Sequence, residues 1–216
     1  MVNSSICQNY GSLTMKNLYL FGFIVSFMLT SPILALIDAQ ALVGQRNGTM
    51  KLSNDGSQDV SGSEVKIAAH IDPIPLIPIA FGVYMATADL GDAGSLKGLK
   101  GTEFGAEVMA WLPVGLAGFK PYVKIGYTPF GAYKGDYEVS GQKLSTAWGA
   151  SGSRIAGGIK YSPLPLIALL FEVEQASMKL DFDEIKDAAG FSPDLLPNDD
   201  SELSSLGIFL GLEVGI

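Results

Sequence analysis

The stretch GIFLGLEVGI, residues 207–216, places Ile208, Leu210, Leu212, Val214 and Ile216 at every second position. Gly207, Phe209, Gly211, Glu213 and Gly215 alternate with them. A period of two is the signature of an extended strand with distinct faces. One face here is wholly aliphatic and the other carries a carboxylate. The reading that follows is a strand that closes a membrane barrel, with lipid on the aliphatic face and Glu213 in the lumen.

The other end of the chain supports export. From Met15 it reads MKNLYLFGFIVSFMLTSPILA: one lysine, an uncharged apolar run, then Pro32 and the small residue Ala35. This is the pattern of a secretory signal peptide cleaved after Ala35. The run from Leu18 to Leu36 is also long enough for a retained helix, which needs roughly 20 residues; Pro32 and Ala35 favour cleavage. Residues 1–14 lie upstream of the basic start at Met15 and stay outside the fold argument. The expected organisation is therefore 1–35 as extension and signal, and 36–216 as one barrel.

Cleavage removes Cys7, the single cysteine, so the mature chain is expected to hold no disulfide and no Cys-ligated metal. No cofactor is expected. The full chain carries 14 Lys+Arg against 22 Asp+Glu, a net charge of −8. That balance argues against nucleic acid as a partner. Hydrophobic residues make up 48%, yet the longest apolar stretch of the mature chain, residues 73–88, opens with prolines and is too short to span as a helix. Only helices and closed barrels satisfy their backbone groups in lipid. An exported, apolar chain without long apolar runs points to a barrel.

Alternation marks eight segments, near 36–47, 61–72, 78–90, 102–112, 119–130, 153–162, 167–180 and 204–216. Connections 73–77, 113–118 and 163–166 are short, proline-rich and uncharged. Connections 48–60, 91–101, 131–152 and 181–203 are long and polar. Short turns at one end and long loops at the other characterise outer-membrane barrels, with the short turns periplasmic. The expected fold is an all-β, eight-stranded, antiparallel, up-and-down transmembrane barrel.

The polar faces define a lumenal charge network: Glu64, Lys66, Glu103, Glu107, Lys120, Lys124, Arg154, Lys160, Glu172, Glu174 and Glu213, with Asp38 and Arg46 beside them. Turn geometry predicts Glu107 opposite Lys124 and Arg154 opposite Glu174. An eight-stranded barrel is just wide enough to be filled by side chains. The network is thus read as a plug, and an ion path is the competing reading. A soluble barrel would show the same alternation with its faces reversed; the export signal, turn asymmetry and final strand favour lipid outside.

These features resemble the small eight-stranded outer-membrane proteins, the OmpA-transmembrane-domain, OmpX and opacity-protein group. The resemblance covers 36–216 and is architectural. It implies location in a bacterial outer membrane, with outer-membrane lipid and lipopolysaccharide as neighbours. It also implies recognition of the last strand by the barrel-assembly machinery, although such proteins usually end in an aromatic residue and this chain ends in Ile216. The loops could then meet a host or prey surface. The expected role is structural or surface-interacting and not enzymatic. A narrow solute channel, a lipid A-modifying enzyme and a soluble lipocalin-like carrier are the alternatives.

Three further features carry candidate chemistry. His70, the single histidine, lies beside a short turn and away from the outer leaflet, and is read as a structural residue. The acidic segment 181–203 offers hard oxygen ligands for Ca²⁺ or Mg²⁺ but matches no known loop spacing and is read as a solvated loop, with a short helix over DEIKDAAGF (183–191). Tyr133, Tyr137 and Trp148 are read as members of an outer aromatic girdle, with surface recognition as the second choice.

Overall fold

The computed structural model describes residues 36–52, 56–72, 77–112, 118–139, 142–164, 166–186 and 201–215. Residues 1–35, on which the expected signal peptide falls, most of the turns at 73–77 and 113–118, and residues 187–200 of the acidic loop lie outside the described residues.

Eight strands form one closed antiparallel barrel in sequence order. They are β1 (Leu36–Leu52), β2 (Gly56–Asp72), β3 (Ile79–Ala93), β4 (Leu96–Trp111), β5 (Phe119–Val139), β6 (Gln142–Leu164), β7 (Ile167–Lys186) and β8 (Ser201–Gly215). The last strand pairs with the first from Asp38↔Gly215 to Lys51↔Glu202, so no edge is left along that seam.

Outside, the aliphatic face of each strand forms a continuous belt. Val43, Ile67, Ile125, Ile155 and Leu210 are 52–64% exposed. So large an apolar surface does not face water in a stable monomer. On β8 the belt runs from Leu206 to Val214. That is roughly 25–30 Å along a strand at ~3.3 Å per residue, which strand tilt brings near the ~25 Å apolar band of membrane barrels. The alternation read from GIFLGLEVGI is observed: Ile208, Leu210, Leu212 and Val214 face out, and Phe209 and Glu213 are buried.

The strands run well past the predicted ends, all at one end of the barrel. β1 and β2 reach Leu52 and Gly56, and β5 and β6 reach Val139 and Gln142. The long polar connections 48–60, 91–101 and 131–152 are therefore mostly strand among the described residues. Residues 183–186 belong to β7 and are not helical; the remainder of that predicted helix falls outside the described residues.

Beyond the belt the polarity of the wall inverts. Outward positions become polar: Lys51, Asp59, Lys100, Lys134, Ser177 and Glu202 are exposed. Inward positions become apolar: Met50, Leu90, Leu99, Tyr133, Trp148 and Leu180 are buried in one cluster. The same strands thus form a membrane barrel in one half and a water-soluble barrel in the other. A greasy interior with a polar exterior is what the hydrophobic effect dictates once the wall leaves lipid.

This corrects the reading of the aromatic residues. Tyr133, Tyr137 and Trp148 are 1%, 7% and 1% exposed and lie inside the outer half, not in a lipid-facing girdle and not at the surface. The cause on β5 is a bulge. Ala106 pairs with Tyr127 and Phe104 with Phe130; on the other side Thr128 pairs with Gly152 and Gly131 with Ala150. β5 therefore holds one extra residue on both seams, around Pro129, which has no N–H for a ladder. The extra residue exchanges the two faces. Tyr122, Lys124 and Thr128 face in before it; Tyr133 and Tyr137 face in after it.

Candidate functional site

Among the described residues, ionisable side chains are concentrated in the lumen. Alternation brings polar residues from all strands to a common axis, and three tiers result.

The middle tier is ionic. Arg154 lies 2.8 Å from Glu64, 2.6 Å from Glu103 and 2.5 Å from Glu174. Arg46 reaches Glu64 at 2.8 Å and Glu174 at 2.5 Å, and donates to Ser205 Oγ at 2.8 Å. Lys66 lies 2.9 Å from Glu172 and 2.6 Å from Glu174. Lys124 lies 2.7 Å from Glu172. His70 Nε2 sits 2.8 Å from Glu107 Oε1, with Lys66 and Lys124 each 3.7 Å from that carboxylate. All of these side chains are at most 4% exposed. Burying so many charges is tolerable because each carboxylate of this tier has at least two hydrogen-bond or ion-pair partners.

Aromatic rings complete the tier. Arg154 and Lys66 lie 5.4 and 5.8 Å from the Tyr84 ring centre, and Lys124 lies 5.2 Å from that of Tyr122. The Tyr122 hydroxyl donates to Glu172 at 3.0 Å. Close approach of these rings to the wall depends on glycine. A Cβ on Gly105 would stand 2.4 Å from Tyr84, and one on Gly82 would stand 2.4 Å from the His70 ring.

Towards the short turns, Lys124 donates to Gln40 Oε1 at 2.8 Å and Gln40 Nε2 donates to Glu213 at 2.8 Å. Lys160 pairs with Glu213. Leu42, Met109, Leu170 and Phe209 fill the space around this chain. Towards the hairpins, the Tyr133 hydroxyl donates to Glu103 at 2.5 Å, and above it stands the apolar tier of Tyr133, Tyr137, Trp148 and the leucines.

The structure brings ten of the eleven sequence-derived lumenal residues into one connected set. Lys120 stands apart: it shares their face of β5 but is exposed and forms no ion pair among the described residues. Its position one turn of the pleat from the strand end leaves it at the mouth, where hydration is better than pairing. Substituting Lys120 by Ala is expected to leave the unfolding midpoint in urea unchanged within about 0.5 kcal/mol. Lys124→Ala is expected to cost about 3–5 kcal/mol, because Glu172 and Glu107 lose a buried partner.

Both predicted pairs are in contact, but neither is directly cross-strand. Met109, not Glu107, is opposite Lys124, and Ala176, not Glu174, is opposite Arg154. The register differs by two residues in each case, which preserves the face and moves the contact to the diagonal. Charge counting missed Gln40, Thr128, Tyr84 and Tyr122 as members of the network. Their signal is parity: Gln40 lies two residues from Asp38, and Tyr122 two from Lys124.

No family model and no curated protein matches the chain. Among solved structures it is similar to Neisserial surface protein A at 17% identity and a TM-score of 0.53, over 82% of this chain and 96% of that one. It is also similar to the outer membrane protein OprG of Pseudomonas aeruginosa (10% identity, TM-score 0.46, 84% and 95% covered). For Ail, the attachment invasion locus protein of Yersinia pestis, the figures are 11%, 0.43, 82% and 98%. Likeness at this identity speaks to architecture, and with the closed ring, the apolar belt and the ion-filled lumen it shows that the chain has the fold of the small eight-stranded outer-membrane β-barrels.

Proposed function

We propose that the protein is a bacterial outer-membrane barrel, exported on its signal segment, whose role is structural or surface-interacting and whose lumen is a plug. The observation that carries this reading is the sealing of the lumen twice over, by a buried, interconnected ionic tier and by an apolar tier beyond it. A solute path through it requires Arg154 to leave three carboxylates and the Tyr133–Trp148 cluster to part. What remains available for interaction is the outside: the belt for lipid, and the protruding half-barrel with its hairpins for lipopolysaccharide or another cell's surface. Entry into the membrane would use the last strand as its assembly signal.

The test is fractionation followed by gel mobility with and without boiling, then planar-bilayer recording. The expected result is a heat-dependent shift in the outer-membrane fraction and a silent bilayer. Steady unitary currents that change on Lys124→Ala would replace the plug with a channel. The lipid A-modifying alternative is opposed by the position of His70, which is buried against Glu107 inside the wall and reaches no outer-leaflet lipid. Lipid A acyl composition is expected to be the same with and without the protein.

A further inference from the structure

We propose that the outer wall formed by β3, β4 and β5 binds the phosphate of a lipid headgroup between Lys100 and Lys134. This inference rests on the outer-membrane reading above.

Lys100 and Lys134 are direct cross-strand partners on β4 and β5, both pointing outward. Like charges placed directly opposite each other on a sheet repel. Relief is incomplete within the protein. Lys100 pairs with Asp89 at 3.0 Å, with its side chain still 66% exposed. Lys134 meets no carboxylate among the described residues. Of the neighbouring charges, Lys97 pairs with Asp92 at 3.2 Å, and Asp136, two residues along β5, accepts from Ser145 at 2.7 Å and forms no ion pair with Lys134 among the described residues. Among the described residues Lys134 therefore has no ion-pair partner, and an anion between the two lysines would remove their repulsion.

The surface below the pair points to a lipid as the source of that anion. Next towards the belt come Thr102 and Ala132, also direct partners, which leave a low strip between the strands. After them come Phe104 and Phe130, partners again and 50% and 54% exposed. Apolar rings, a strip of small side chains and two cations thus follow one another in register. From rings to lysines is four residues, roughly 13 Å along the strand at ~3.3 Å per residue. Strand tilt and the flexible lysine stems shorten this towards the ~5–8 Å headgroup layer. Acyl chains fit the rings, and the phosphate fits the ammonium groups. Two other lysines of the protruding half do not share this arrangement: Lys51 pairs with Glu202 at 3.2 Å and Lys179 with Asp181 at 3.0 Å.

The test uses the full barrel in phosphatidylcholine nanodiscs containing a minority of diphosphoryl lipid A, with lipid retention read by native mass spectrometry. The wild type is expected to retain the phosphorylated lipid selectively. Lys100→Gln with Lys134→Gln is expected to lower that retention about tenfold. Lys51→Gln with Lys179→Gln changes the net charge equally and is expected to leave it in place. Equal retention by Lys100→Gln/Lys134→Gln and wild type overturns the proposal, and so does an equal loss in the control pair. Each variant is first checked for its heat-dependent gel shift. An intact shift with unchanged lipid sinks only the phosphate site; a wild type that is soluble without detergent sinks the membrane reading and the site together.

Discussion

Replacing Arg154 by methionine is expected to cost about 3–5 kcal/mol and to remove most of the heat-resistant folded form. The argument is one of distribution. Arg154 serves Glu64, Glu103 and Glu174 at once, at 2.5–2.8 Å, and is 2% exposed. Its loss does not affect the three equally. Glu174 keeps Arg46 and Lys66, and Glu64 keeps Arg46. Among the described residues Glu103 keeps the hydroxyls of Thr128 and Tyr133 and no cation. A buried carboxylate held by hydroxyls alone is the dominant penalty. Adding Glu103→Gln to Arg154→Met is therefore expected to recover a larger share of stability than adding Glu64→Gln. Arg154→Lys is expected to fail nearly as badly as methionine, because one ammonium cannot present the planar fork that reaches three acceptors. Urea titration in detergent micelles, followed by the gel shift, gives each value. Equal recovery by the two glutamine variants would mean that the penalty is spread over the tier and not focused on Glu103.

Deleting Pro129 is expected to prevent formation of the native barrel. The bulge around this residue sets the parity of the outer half of β5. Without the extra residue, register on the belt side is retained and every later side chain changes face. Tyr133 and Tyr137 would turn outward, and Lys134 and Asp136 would enter the apolar tier beside Leu96, Leu144 and Trp148. Two unpaired charges there, with two aromatic rings removed from the core, exceed the marginal stability of a domain of this size. Pro129→Ala keeps the residue count, and with it the parity; its barrel is expected to show a normal heat shift. If the deletion variant folds as well as Pro129→Ala, the bulge is not what fixes the faces of β5.

The local part of this architecture is legible in sequence. Alternation in GIFLGLEVGI, TEFGAEVMAWL and FEVEQASMK assigns inner and outer faces correctly, because the pleat has a period of two and lipid tolerates no charge. The same rule nominates nearly every charged member of the ionic tier. Eight strands and their closure follow from the alternation and the placing of the turns.

Tertiary structure alone decides the rest. Which carboxylate meets which cation depends on diagonal contacts across the lumen, and Arg154 serves residues of β2, β4 and β7 that no strand-by-strand reading can rank. The fate of Tyr133, Tyr137 and Trp148 depends on where the wall leaves lipid and on one inserted residue in β5. Periodicity carries no record of either. Past the belt the solvent changes from lipid to water, and the physical rule that sent charge inward now sends it outward. A sequence pattern gives the two faces of a strand; only the closed barrel, set against its surroundings, says which of them is the core.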